Sequence, residues 1–251
     1  MQKTLIIVCL LSSSVLYTVT YSQELQIHYD MRHSIDPKRN PKNFPTLYFE
    51  YFKSQDSGKH FIKPGSFLLK TQADFLGEKN NIGNFYMQVS QSFRCWKPKI
   101  FLNLQYSGGL GITEPQREYS YYIQNTYSIG INYPFKLRNA YFAAVLNYKH
   151  IPYIKPSHDF SYTLYWWQGL MNYKCNFSGY FSLWTENKNR GDAYTIDLKG
   201  KRFSFIAEPQ FWYKLGNMFA LGTKINMFYH IFTTDNVLQV YPTIGVRFEI
   251  N

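Results

Sequence analysis

VLQVYPTIGVRFEIN, residues 237–251, is the stretch that decides the fold. Leu238, Val240, Pro242, Ile244, Val246, Phe248 and Ile250 share one parity, and Gln239, Tyr241, Thr243, Gly245, Arg247 and Glu249 share the other. A period of two held this long marks a strand with one apolar and one polar face. Strands of soluble domains usually run about 5–6 residues. A strand that crosses a bilayer on the tilt needs roughly 9–11. The stretch therefore predicts a membrane-crossing strand.

The same alternation recurs upstream in segments of about ten residues separated by turn chemistry, as in a transmembrane barrel. Strands are expected at 25–32, 46–53, 66–75, 84–94, 100–107, 119–133, 140–149, 160–173, 180–187, 202–215 and 218–232, with the closing stretch as the twelfth. Tyr121, Ile123 and Tyr127 are assigned to the lipid face of the sixth. Bulges are expected where parity slips at Gln168-Gly169 and where Glu208-Pro209 interrupts the tenth strand. Connections at Lys97-Pro98-Lys99, 136–139 and Gly216-Asn217 are short. Those at 35–44, 112–118, 151–159 and 187–201 are longer and polar. This matches short periplasmic turns and long outer loops; only 55–65 departs from it. The fold class is all-β, an antiparallel up-and-down transmembrane β-barrel of about twelve strands.

At the N-terminus Lys3 precedes the apolar run Leu5 to Leu11, and Thr20 and Ser22 are small residues before a cut ahead of Gln23. This predicts a cleaved signal peptide at 1–22 and a barrel at 23–251. The chain carries a net charge of +11, with its Lys and Arg scattered. Scattered charge suits lipid headgroups and lipopolysaccharide rather than nucleic acid. Aromatics make up 20% of residues, which interfacial girdles would explain. The final Gly245-x-x-Phe248-x-Ile250 resembles the C-terminal signal of outer-membrane barrels. It implies insertion by the barrel-assembly machinery and residence in the outer membrane of a Gram-negative bacterium. Cys95 and Cys175 fall on turns four strands apart, roughly 20 Å at about 4.8 Å per strand. Disulfide partners need Cα atoms within about 7 Å, so free thiols are expected.

Twelve strands lie between the filled interior of eight and the aqueous channel of sixteen. A narrow lumen sized for one small solute follows. Inward ionisable residues are Asp30, Arg32, Glu50, Lys70, Asp74, Arg94, Lys149, Glu186, Glu208, Lys214, Lys224, His230, Arg247 and Glu249. Their mixed signs favour a neutral or zwitterionic solute over a single-sign ion path, and equally suit ion pairs that plug the interior. Tyr48, Phe52, Tyr86, Phe101, Tyr122, Trp184, Trp212, Phe228 and Tyr241 have lumen parity. Such rings stack on bases or sugars, or fill a narrow bore. The candidate ligand-binding set is Asp30, Arg32, Tyr48, Glu50, Tyr86, Phe101, Tyr122, Trp184, Glu208, Trp212 and Phe228.

LQIHYDMRH (25–33), NFPTLYFEYFK (43–53) and QYSGG (105–109) resemble a family of Gram-negative outer-membrane proteins of unknown function related to the nucleoside-specific channel-forming protein Tsx. The resemblance implies a twelve-stranded barrel and, by analogy, passive uptake of a nucleoside-like or other small solute. The alternatives are a non-conducting accessory or structural barrel of an outer-membrane complex, and a lipid-modifying enzyme. An enzyme is disfavoured: no lipid-facing His is paired with a Ser, and no G-x-S-x-G or metal-ligand spacing occurs. No catalytic residues, metal or cofactor are expected.

Overall fold

The computed structural model describes residues 20–54, 61–112 and 120–250. Twelve antiparallel strands follow one another: β1 (Thr20–Asp30), β2 (Phe44–Ser54), β3 (Lys63–Asp74), β4 (Asn84–Arg94), β5 (Phe101–Ile112), β6 (Ser120–Leu137), β7 (Ala140–Ile151), β8 (Ser157–Leu170) and β9 (Cys175–Asn187). Then come β10, in two segments Lys201–Ala207 and Gln210–Lys214, β11 (Phe219–Tyr229) and β12 (Gln239–Ile250). Each pairs with its sequence neighbour, and β12 pairs with β1 to close the barrel. The predicted leader lies outside the described residues except for 20–22, which continue β1.

The wall is apolar outside and polar inside. Ile27, Leu104, Ile129, Leu146 and Ile244 are exposed on the outer face, while Gln26, Asn103, Ser128, Asn147 and Thr243 are buried in the lumen. In water this arrangement would leave a band of hydrocarbon uncovered. In lipid it satisfies both faces, because a closed sheet leaves no unpaired backbone edge. Aromatics flank the band. Tyr29, Phe85, Tyr122, Tyr148 and Phe160 stand near the loop end, and Tyr133, Phe211, Tyr213 and Phe219 near the turn end. At the turn end Phe135 stacks on Phe142 at 5.2 Å, and Phe219 meets Phe248 at 5.0 Å.

Neither expected bulge is present. β8 keeps one register with β7 as far as Gln168 and with β9 through Gln168 and Gly169. The apparent slip arises because the lumen parity passes from Ser161 and Thr163 to Tyr165 and Trp167. Pro209 interrupts β10 without shifting it, for both segments hold the same register against β9 and β11. Glu208 N–H still donates to Tyr180 O at 2.9 Å, and Pro209 O accepts from Ile225 N–H at 3.0 Å. Gly179 faces the break at φ +148; a Cβ there would lie 2.4 Å from Glu208 O. Register shifts occur instead between Pro64 and Phe67 and, with larger consequence, where Ser107 and Gly109 of β5 face Thr126 and Ile123 of β6. Two residues there oppose one, so parity inverts toward the start of β6. Ile123 therefore lines the lumen, and Tyr122 lies outside, 78% exposed. The assignments of Tyr121 and Ile123 to the lipid face and of Tyr122 to the lumen are corrected accordingly. β1 ends at Asp30, leaving Arg32 to open the four-residue helix Arg32–Ile35. His230 lies beyond β11 at φ +56, bonded to Phe203 O at 2.7 Å and Asn236 Oδ1 at 2.9 Å.

Candidate functional site

The lumen is divided by depth. Toward the turns buried side chains crowd it into a plug. Trp212 is wholly buried, with its indole N–H donating to Gln210 Oε1 at 2.9 Å and the Arg247 guanidinium 5.0 Å from its ring. Arg247 in turn lies 2.9 Å from Glu249 and 3.6 Å from Glu24. His28 bridges Thr243 Oγ1 at 2.8 Å and Gln26 Oε1 at 2.9 Å. On the other side Asn132 Nδ2 donates to Ser66 and Ser92 at 3.2 and 3.1 Å, and Asn103 Nδ2 to Asn147 Oδ1 at 3.2 Å. The Phe101 ring lies over this cluster against Gly65, where a Cβ would come within 2.5 Å of it.

Above the plug, side chains span the bore. Lys70 of β3 lies 3.5 Å from Glu50 and 4.5 Å from the ring centre of Tyr180 on β9, six strands away around the wall. The Tyr165 ring is 5.3 Å from the same ammonium, and its hydroxyl accepts from Gln88 Nε2 at 3.2 Å. The Tyr48 hydroxyl donates to Glu50 at 2.7 Å, and its ring carries Lys224, 4.9 Å away and 3.8 Å from Glu208. Buried charges need such partners. Here they form a floor made of side chains alone.

The floor supports a chamber of about 170 Å³ that opens toward the loops. Of the sequence-predicted residues, Arg32, Tyr48, Tyr86, Trp184, Glu208 and Phe228 line it. Asp30 stands behind Arg32, accepting from it at 2.8 and 3.0 Å. Glu50 belongs to the floor, Phe101 and Trp212 to the plug, and Tyr122 to the outer face. The prediction missed Gln88, Tyr165, Tyr180 and a wall of hydroxyls that includes Thr126, Ser128, Ser161, Thr163 and Ser182. Parity with Tyr48 and Trp184 was the available signal; depth along the strand was not. Lys149 was read as inward but not as part of the site, and it lines the chamber beside Trp184.

At the loop rim Glu186 receives Arg190 at 3.0 Å and Arg202 at 3.2 Å. Tyr153 packs under Arg190 at 4.8 Å, and burial together with Glu186 pushes its hydroxyl above the ordinary tyrosine range. Among the described residues both cysteines are free thiols, Cys95 exposed and Cys175 buried. No group of three or more His, Cys, Asp or Glu fit to hold a metal occurs among the described residues. His150 and His158 sit on the outer face at 4.8 Å, with the Tyr148 hydroxyl 2.6 Å from His158.

The chain belongs to the family described as a domain of unknown function (DUF5020), which matches it over residues 22–250. No curated protein matches it. Among solved structures it is similar to a KdgM porin at 8% identity and TM-score 0.46, covering 91% of this chain and 99% of that one. It is also similar to a porin at 8% identity and TM-score 0.42, covering 92% and 100%. A third is LpxR from Salmonella typhimurium, at 8% identity and TM-score 0.41, covering 90% and 99%.

Proposed function

We propose that this barrel resides in the outer membrane of a Gram-negative cell and takes up a small polar solute through its loop-side chamber, with a floor that is closed at rest. The observation that carries this reading is a hydroxyl-lined chamber resting on a cross-lumen bridge of side chains, Lys70 to Glu50 and Tyr180. Rotamer changes move side chains in picoseconds to nanoseconds where space allows, so such a floor is a gate in kind. The chamber is smaller than the roughly 300–1,000 Å³ of sites for drug-sized ligands. It fits a monosaccharide, an amino acid or part of a nucleoside. A nucleoside rests on the resemblance to Tsx, and its hydroxyls rather than stacking would hold it. Insertion would proceed through β12, whose Phe248 faces outward, and lipid and lipopolysaccharide would cover the wall.

Liposome swelling with purified protein tests this. Permeation by small sugars, amino acids or nucleosides, faster for Lys70→Ala than for the natural chain, is the expected result. The paired charges and wholly buried Trp212 of the plug favour a second reading, a non-conducting accessory barrel. Absence of permeation in both proteins would select that reading.

A further inference from the structure

We propose that Lys149 forms an anion subsite in the chamber and that the solute, or the group by which it is held, carries a carboxylate. This deepens the uptake reading and rests on the chamber described for it. Lys149 is 6% exposed, and its ammonium sits 4.2 Å from the ring centre of Trp184. Among the described residues it has neither a hydrogen-bond acceptor nor a carboxylate in bonding range. The nearest opposite charges, Glu186 and Asp159, act on it only from a distance. Asp159 is bound by Lys201 and by the Thr185 hydroxyl at 2.6 Å. Glu186 is shared by Arg190 and Arg202. At this corner Lys201, Arg190 and Arg202 take both carboxylates, and Lys149, which lines the chamber, is left without one.

The other charges at the chamber differ. Arg32 is bonded to Asp30, Lys70 lies 3.5 Å from Glu50, and Lys224 lies 3.8 Å from Glu208, though its ammonium makes no hydrogen bond. A buried ammonium with open donors is costly unless something completes its shell. The ring serves one side of it. Ser128 lies opposite it in register and Ser161 lies opposite Trp184, so hydroxyls stand ready for further oxygens of a bound anion. A carboxylate on a small hydroxylated skeleton matches that arrangement.

Calorimetric titration of the purified full-length protein in detergent, with glucuronate against glucose and benzoate against benzamide, tests charge at nearly constant shape. The carboxylates should bind about tenfold or more tightly than their neutral counterparts, as hydrogen bonds to charged groups are the strong ones. Lys149→Gln should abolish the preference and Lys149→Arg should keep it, both checked for heat-modifiable gel migration. Equal binding of neutral probes, no carboxylate binding, or an unchanged preference in Lys149→Gln would overturn the proposal. Should Lys149→Gln not fold, the preference of the natural chain and of Lys149→Arg decides alone. Carboxylate binding without permeation would remove the uptake reading and keep the subsite. Permeation indifferent to charge would do the reverse.

Discussion

Replacing Lys70 with Ala should destabilise the barrel by about 3 kcal/mol, the lower end of the range for breaking a buried ion pair. Three features of the floor set that figure. The Lys70 side chain is 10% exposed and its ammonium lies 3.5 Å from Glu50, so the pair is largely withdrawn from water. Glu50 is 27% exposed and keeps the Tyr48 hydroxyl at 2.7 Å, which softens the loss. Tyr180 and Tyr165 lose a cation over their rings, which adds roughly 0.5–2 kcal/mol. Glu50→Gln/Lys70→Met removes both charges and retains most of the volume. It should recover more than half of the deficit, because the penalty comes mainly from the orphaned carboxylate. Denaturant unfolding in micelles, followed by tryptophan fluorescence, gives both values. A Lys70→Ala protein within about 0.5 kcal/mol of the natural chain, the range of ordinary surface substitutions, would refute the floor. So would a double variant as unstable as the single one, since the cost would then not be electrostatic.

Gly65→Ala drives a methyl into the Phe101 ring, 2.5 Å from the new Cβ, and should cost about 1–3 kcal/mol; Phe101→Leu in the same chain should return part of it in the same unfolding assay. Tyr86→Ala, in the chamber wall, should change solute binding by calorimetry, whereas Tyr122→Ala, on the outer face, should not. In the folded protein a maleimide should label exposed Cys95 and spare buried Cys175; with the predicted leader and its Cys9 removed, mass spectrometry should show one adduct before unfolding and two after it, with no reductant needed.

Strand existence and face were legible because lipid outside and water or polar groups inside impose a period of two on every strand. The closing strand shows this best: Gln239, Tyr241, Thr243 and Arg247 are buried and Val240, Ile244 and Ile250 exposed, as their parity requires. Parity failed at Tyr122, because one extra residue at the Ser107–Gly109 irregularity inverts it and leaves no mark in the alternation. Depth was illegible for a different reason. Tyr48, Phe101 and Trp212 carry the same parity signal but sit in chamber wall and plug, and only the stagger between distant strands sorts them. Partners across the bore are hidden likewise. Lys70 reads as one more inward cation until β9 is placed opposite β3, and Lys149 reads the same until its potential carboxylates are seen to be taken.

The lumen rings also have a role that composition disguises. The inward cations that do have a carboxylate, Arg32, Lys70, Lys224 and Arg247, lie over rings as well. Arg32 lies over Phe44 and Tyr241, Lys70 over Tyr180, Arg94 over Phe101, Lys149 over Trp184, Lys224 over Tyr48 and Arg247 over Trp212. The ring quadrupole holds a cation without adding an anion, and lipid outside leaves such charges no other direction to turn. Aromatic richness here thus answers two demands, girdles on the outer wall and cation seats within. A solute entering the chamber finds Tyr48, Tyr180 and Trp184 already covered by ammonium groups. What remains for it to meet is a row of hydroxyls and the open side of Lys149, so recognition in this lumen runs through charge and hydrogen bonds rather than through stacking.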